Sequence, residues 1–136
     1  MKKILIDSGP LIALFDRSDK YHQASTAFIK NNRAELITTL ASITEVLHLL
    51  DFSRNAQADF LSWVDAGAIT VESITVDDFQ KIRALIIKYS DLPMDFADAC
   101  LVFLGEKMNV SKVATIDRDF DVYRLKGKRS FTTYIK

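Results

Sequence analysis

The stretch 94-MDFADACLVFLGEKMNVSKVATIDRDF-120 decides how the rest of the chain is read. It divides into a helix, a short turn, a buried strand and an acidic strand end. Apolar residues at Phe96, Cys100, Leu101, Phe103, Leu104 and Met108 place most of one helix side against a core. Asp95 and Asp98 stand three apart and share a face of its first turn. Each also has an ordinary reading, Asp95 as N-cap and Asp98 at the third helical position. The strand 112-KVATI-116 is short, apolar and β-branched, and it runs into Asp117, Arg118 and Asp119. Asp117 alone would be an acceptable turn residue. Two carboxylates at a helix start and two at a strand end predict one meeting place, and such a gathering needs a cation.

Outward from this stretch, strands alternate with helices. Residues 2–7 read as a strand ending in Asp7, and Ser8-Gly9-Pro10 as a turn capped by Ser8 or Gly9 into the short helix 11–16. Asp19 is expected to cap a helix to about Asn32, with Tyr21, Ala24, Ala27 and Phe28 inward. A strand over 35–39 precedes a helix from Leu40 to Phe52 with Ile43, Val46, Leu47 and Leu50 inward. Ser53 caps the next helix, whose buried stripe is expected at Phe60, Leu61 and Val64 and which Gly67 stops. A strand over 68–74 and a helix from Thr75 to Tyr89, with Asp78 at its third position, lead to Pro93. Beyond Asp117, residues 122–125 and 130–135 predict a strand or two around Gly127. The alternation gives an α/β fold with a mostly parallel sheet covered on both faces.

At 136 residues, 49% apolar and 26% charged, the chain has the size and composition of a single domain spanning 1–136 that buries its own core. The lone Cys100 excludes an intrachain disulfide and is expected to be a buried hydrophobe. Three apolar residues after Lys3 do not make a signal peptide, and Ala99 to Leu104 is far too short to span a membrane; a cytoplasmic protein with no membrane partner is expected. Eighteen basic residues balance eighteen acidic ones, so bulk charge does not favour nucleic acid. The tail from Val122 nonetheless carries Arg124, Lys126, Lys128, Arg129 and Lys136 with no acid among them, either as a phosphate-binding surface or as a solvated strand pair.

Asp7 and Asp117 each close an apolar strand, at the sheet edge where α/β proteins bind ligands. Glu45 is the only ionisable residue between Glu35 and His48, with apolar neighbours on most sides of its helix. A buried, unpaired carboxylate costs several kcal/mol. Glu45 therefore either faces solvent or meets a cation from elsewhere, and a divalent metal is the economical one. All-oxygen ligands select Mg²⁺ or Mn²⁺. The two histidines, His22 and His48, lack ligand spacing; His22 is expected at the surface and His48 in packing. A Walker A lysine loop, a dinucleotide turn and a nucleophile elbow are all missing from the sequence.

Taken in order, 4-ILIDSGPLIALFD-16, Thr44-Glu45, 92-LPMDFADACLV-102 and 113-VATIDRDF-120 resemble the PIN-domain family, and within it the VapC-type toxins of toxin–antitoxin pairs. The resemblance covers nearly the whole chain, and the ordered set is far more specific than any one motif. It implies a three-layer α/β/α sandwich, RNA cleavage, a homodimer and a cognate antitoxin. It also implies that Asp7, Glu45, Asp98 and Asp117 are the acidic quartet that binds Mg²⁺ or Mn²⁺ and catalyses. Ser8 and Thr115 match hydroxyls that line such sites. Asp95 is a cap first and an outer-shell group second, and Asp119, like Asp121, is a less secure member because it also suits the turn into Phe120.

Phosphodiester hydrolysis needs an activated water and relief of charge on the phosphate, both of which Mg²⁺ provides. On this reading Asp7, Asp98 and Asp117 are inner ligands, Glu45 is an inner or outer one, and the RNA backbone runs along Arg118, Arg124, Lys126, Lys128 or Arg129. Two other classes compete. One is a catalytically weak or inactive PIN-like RNA-binding or assembly module, against which the complete quartet argues. The other is a receiver-like phosphoacceptor domain, which would carry adjacent acids after its first strand, where this chain has Asp7-Ser8.

Overall fold

The computed structural model describes residues 2–135; Met1 and Lys136, the last charge of the basic tail, lie outside the described residues. Five strands, β1 (Lys3–Ile6), β2 (Glu35–Thr39), β3 (Thr70–Glu72), β4 (Lys112–Thr115) and β5 (Thr132–Ile135), form one sheet in the order β3-β2-β1-β4-β5. Every pairing is parallel, with Leu5 opposite both Ile37 and Val113. Among the described residues six α-helices connect them: α1 (Ser8–Phe15), α2 (His22–Asn31), α3 (Leu40–Leu49), α4 (Arg54–Asp65), α5 (Phe79–Lys88) and α6 (Phe96–Met108).

Alternate strand residues feed opposite cores, as the two-residue period of a strand requires. Leu5, Ile37 and Val113 join Ile82 and Leu85 of α5 and most of α6. Ile4, Ile6, Leu36 and Ala114 join Leu11 of α1, Ile43 and Val46 of α3 and Phe60 of α4. The result is the expected three-layer α/β/α sandwich. The chain winds outward from β1 to β3, then returns to β4 on the other side of β1. The carboxyl ends of β1 and β4 thus flank the point where strand order reverses, the crevice that such sheets use for ligands.

Helix α6 is buried all round from Ala97 to Gly105. One apolar side was expected, but the helix is enclosed by the sheet and α5, so even small residues face protein. Phe96, by contrast, is 46% exposed. Tight approach is built in at Gly105, where a Cβ would lie 2.9 Å from the Val110 carbonyl oxygen and 3.2 Å from Leu5 Cδ1.

Several local expectations are corrected. The first helix starts at Ser8, and its N-cap is Asp7, whose carboxylate accepts from Ser8 N. Asp19 caps a turn, accepting from Tyr21 N, and α2 begins at His22. Its inward residues are Ser25, Phe28 and Ile29, while Ala24 and Ala27 are exposed; alanines bury too little area to orient a helix. In α4, Trp63 joins Phe60 and Val64 inward and Leu61 stays exposed, because Phe15 stacks edge-to-face on both Phe60 and Trp63. His48 is exposed, and His22 is half-buried with Nδ1 2.7 Å from the Ala13 carbonyl oxygen. Thr75 and Asp78 form the capping box, but on a 3-10 turn (Val76–Asp78) that leads into α5. After β4 come two more 3-10 turns, Arg118–Asp121 and Lys126–Lys128, a single antiparallel bridge between Arg124 and Ser130, and then β5. Ser53 and Asp95 cap α4 and α6 as expected.

Candidate active site

Asp7 ends β1 and caps α1, so its carboxylate is held at the crevice by backbone geometry. One oxygen accepts from Ser8 N at 2.8 Å and the other from Thr115 Oγ1 at 3.0 Å. Thr115 is the last residue of β4, and its hydroxyl in turn accepts from Asp117 N at 2.9 Å. The ends of the two central strands are stitched together through Asp7 and Thr115. Asp117 accepts from Asp119 N at 2.9 Å, which starts the 3-10 turn. Asp98 arrives from the other layer. Asp95 accepts from Asp98 N at 2.8 Å, fixing the first turn of α6 with Asp98 directed at the sheet edge.

These elements bring carboxylate oxygens of Asp7, Asp98 and Asp117 within 4.8 Å of one another, with Asp7 and Asp98 buried. Glu45 stands beside them, half-buried on α3, where its carboxylate accepts from the Ser8 hydroxyl. Of the four expected acids, Glu45 is the one not among the carboxylates that lie within 4.8 Å of one another; its hydrogen bond is to Ser8.

Burial pushes Asp7 up to about 7, against the pull of its hydrogen bonds from Ser8 and Thr115. Burial also pushes Asp98 up to about 8, with the nearby charges of Asp7, Asp95 and Asp117 adding to it. Glu45 is raised for the same first reason, opposed by its bond from Ser8 and aided by Asp95. Asp119 is raised by desolvation and then by Asp117. Groups held so close yet so reluctant to ionise are matched to a hard cation, whose charge would reverse both effects. The donors are all oxygen, which fits Mg²⁺ or Mn²⁺ and not a thiolate- or imidazole-loving ion.

This geometry, at the switch point of a parallel sheet, coincides with a family assignment: residues 4–126 match the PIN domain. The chain belongs to the PIN-domain family. Among curated relatives, the ribonuclease VapC26 of Mycobacterium tuberculosis is 24% identical over 132 residues, covering 95% of this chain and 98% of that one. Among solved structures, VapC20 of Mycobacterium tuberculosis, described as a toxin that cleaves the sarcin–ricin loop, superposes with a TM-score of 0.80 at 17% identity, over 88% of this chain and 93% of that one. The second likeness is one of fold.

The basic candidates of this PIN domain are dispersed. Arg118 is exposed directly after Asp117. Arg124 is committed to its own backbone, donating to the carbonyls of Asp121 and Tyr123. Arg129 donates to Asn109 Oδ1, at the C-terminal end of α6. Asn109 is eleven residues beyond Asp98, roughly 16 Å along the helix axis. Lys126 and Lys128 share that turn region and are exposed.

Two features escaped sequence reasoning. Tyr123 is fully buried, with its hydroxyl 3.4 Å from Asp98 Oδ2, and burial followed by the Asp98 charge pushes the phenol up. Its stretch, 122-VYRL-125, reads as an ordinary strand, so nothing in its spacing reveals the contact. The second is an apolar groove of about 800 Å³ that Leu40, Phe79 and Phe96 line together with Glu45, Asp95 and His48. Its walls come from α3, β3, α5 and α6, four elements distant in sequence. Cys100 is fully buried as expected, and burial pushes its thiol up to about 12.

Proposed function

We propose that this protein is a metal-dependent endoribonuclease that hydrolyses RNA phosphodiester bonds, and that it is the toxin of a toxin–antitoxin pair. The observation that carries the reading is the convergence of Asp7, Asp98 and Asp117 within 4.8 Å, two of them buried, at the switch point of a PIN-domain sheet. The ribonuclease name of the VapC26 relative and the RNA-cleaving description of VapC20 support it.

On this reading Asp7, Asp98 and Asp117 would hold Mg²⁺ or Mn²⁺. When bound, the ion acidifies a water and neutralises charge on the phosphate. Thr115 and Ser8 keep the Asp7 carboxylate oriented through their bonds to its two oxygens. Glu45, steadied by Ser8, orients the attacking water from the α3 side. Asp95 caps α6 and so sets Asp98; Asp119 closes the turn that presents Asp117. Arg118 takes the phosphate nearest the site. Lys126, Lys128 and Arg129 serve a more distant stretch of backbone, and Arg124 shapes the turn between.

The unit is a single domain acting in the cytoplasm, and no helix among its described residues is long and apolar enough to cross a membrane. Its partners are RNA, a cognate antitoxin and a second copy of itself. The homodimer is supported by apolar residues left exposed around β3 and α5: Val76 at 76%, Phe79 at 48% and Ile87 at 59%.

The deciding experiment is Mg²⁺-dependent cleavage of a mixed cellular RNA pool by wild type and Asp98→Asn. Asn keeps the size of Asp, and the α6 cap, which Asp95 supplies through Asp98 N, is left in place. Cleavage is expected to fall by orders of magnitude while the melting temperature in chelator holds or rises, because a repelling charge is gone. Cleavage at the wild-type level in Asp98→Asn sinks the role of that residue. A wild type that binds RNA yet cleaves nothing, free of any co-purified antitoxin, is the inactive binding module instead.

A further inference from the structure

Among the described residues, the buried Tyr123 is the one whose hydroxyl reaches Asp98. Its ring is seated between Tyr89 and Phe120, with centroids 5.1 Å away on both sides and edge-to-face angles of 63° and 78°. Phe120 is itself backed by Phe131 at 5.7 Å. Such packing leaves the ring one orientation, and in it the hydroxyl points at Asp98 Oδ2, 3.4 Å away. Tyr89, the other phenol of the cluster, is engaged elsewhere, accepting from Arg124 N at 2.8 Å. That bond ties down the chain on the C-terminal side of Tyr123.

A carboxylate that gives one oxygen to a cation has a second oxygen to satisfy. In a buried site that oxygen needs a donor, since an unsatisfied acceptor costs about 1–3 kcal/mol. Asp7 has two donors, from Ser8 and Thr115, whereas Tyr123 is the side chain that donates to Asp98. At 3.4 Å the pair is long for an O–H···O bond, and ionisation of Asp98 on loading a cation would shorten and strengthen it.

We infer that Tyr123 is a positioning residue for metal binding: its hydroxyl holds one oxygen of Asp98 and so turns the other toward Asp7 and Asp117. The inference rests on the metal-dependent reading above but concerns affinity for the ion, which is measured without RNA. It links the segment after β4 to the metal site, so that the docking of the C-terminal region and the loading of the ion depend on each other.

Isothermal titration of the full chain with Mn²⁺ at neutral pH tests it, on wild type, Tyr123→Phe, Tyr89→Phe, Asp98→Asn and the double variant Asp98→Asn/Tyr123→Phe. Phe at 123 keeps the ring and its edge-to-face partners. Loss of an outer-shell partner weakens metal affinity by roughly ten-fold or more, and that is the effect expected for Tyr123→Phe. Tyr89→Phe, which removes a hydroxyl from the same cluster without touching Asp98, is expected to bind Mn²⁺ as wild type does. In the Asp98→Asn background the Tyr123 substitution is expected to add nothing. Wild-type affinity in Tyr123→Phe overturns the inference, and so does an equal loss in Tyr89→Phe, which reports a general loosening of the cluster. If Tyr123→Phe melts too low to titrate, the Mn²⁺-induced rise in its own melting temperature decides: a rise equal to that of wild type overturns the inference, and a rise smaller than that of Tyr89→Phe supports it. A wild type that binds no Mn²⁺ overturns this inference and the nuclease reading together. Intact Mn²⁺ binding that drops in Tyr123→Phe, in a protein that cleaves no RNA, supports this inference and removes only the nuclease reading.

Discussion

At the scale of single residues, the site is a store of unfavourable charge. Asp7 and Asp98 hold protons up to about 7 and about 8, far above the ordinary 3.8 of an unfolded aspartate. A folded-state pKa above the unfolded one means the native protein binds more protons, so its stability is greatest in acid and is lost as pH rises through the folded values. In chelator, the melting temperature is therefore expected to decline between about pH 4 and pH 8 on account of these two groups. Asp98→Asn is expected to flatten the upper part of that decline. Mn²⁺ competes with these protons, so its stabilisation is expected to be larger at pH 8 than at pH 5. Melting curves across this range, with and without the ion, check the sign; an Mn²⁺ effect that is larger at low pH contradicts the proposed ligands.

At the scale of elements, two glycines set how closely the helices approach the sheet. Gly105 on α6 faces the Val110 carbonyl oxygen at 2.9 Å and Leu125 Cδ2 at 3.1 Å from an added Cβ. A backbone oxygen cannot move aside cheaply, so Gly105→Ala is expected to cost about 1–3 kcal/mol in urea melts. Gly9, in the first turn of α1, meets only a side chain: an added Cβ would lie 2.6 Å from Ile116 Cγ1. Ile116 precedes Asp117, so the shift is transmitted to the site. Gly9→Ala is expected to lose less stability than Gly105→Ala but more of the Mn²⁺-induced rise in melting temperature. The reverse ranking would mean that Ile116 relaxes without moving Asp117. Gly9 reads in the sequence only as a turn or cap residue and Gly105 not at all, since close approach leaves no local signal.

At the scale of the molecule, part of the exposed apolar surface lies beside β3. Leu40 is 68% exposed at the start of α3, and with Val71 and Phe79 it lines the groove that also reaches Glu45. Covering such a surface is the ordinary reason for a stable homodimer. Light scattering is expected to give a dimer for wild type and a monomer for Phe79→Asp, with an unchanged far-ultraviolet spectrum because Phe79 is half out of the fold. A monomeric wild type at micromolar concentration removes the dimer from the proposal.

What the sequence determined by itself was the alternation of apolar strands with helices, the parallel sheet that alternation requires, and the acids that close β1 and β4. These are local or nearest-neighbour properties: a strand of Ile, Leu and Val declares itself wherever it stands, and Asp7 and Asp117 close theirs whatever the rest of the chain does. Side-chain facing was legible for α3, where large aliphatics recur at helical spacing, and illegible for α2, where alanines and a serine carry no strong preference. Tertiary structure alone decided which acids meet. Asp7 and Asp117 lie 110 residues apart and become neighbours because β1 pairs with β4, while Asp98 joins them because the Asp95 cap aims the first turn of α6 at that edge. Tyr123 acquired its role in the same way, through an aromatic seat assembled from α5 and the segment after β4. Contacts across such separations depend on how whole elements stack, and stacking is settled by the summed burial of two cores rather than by any residue's own preference.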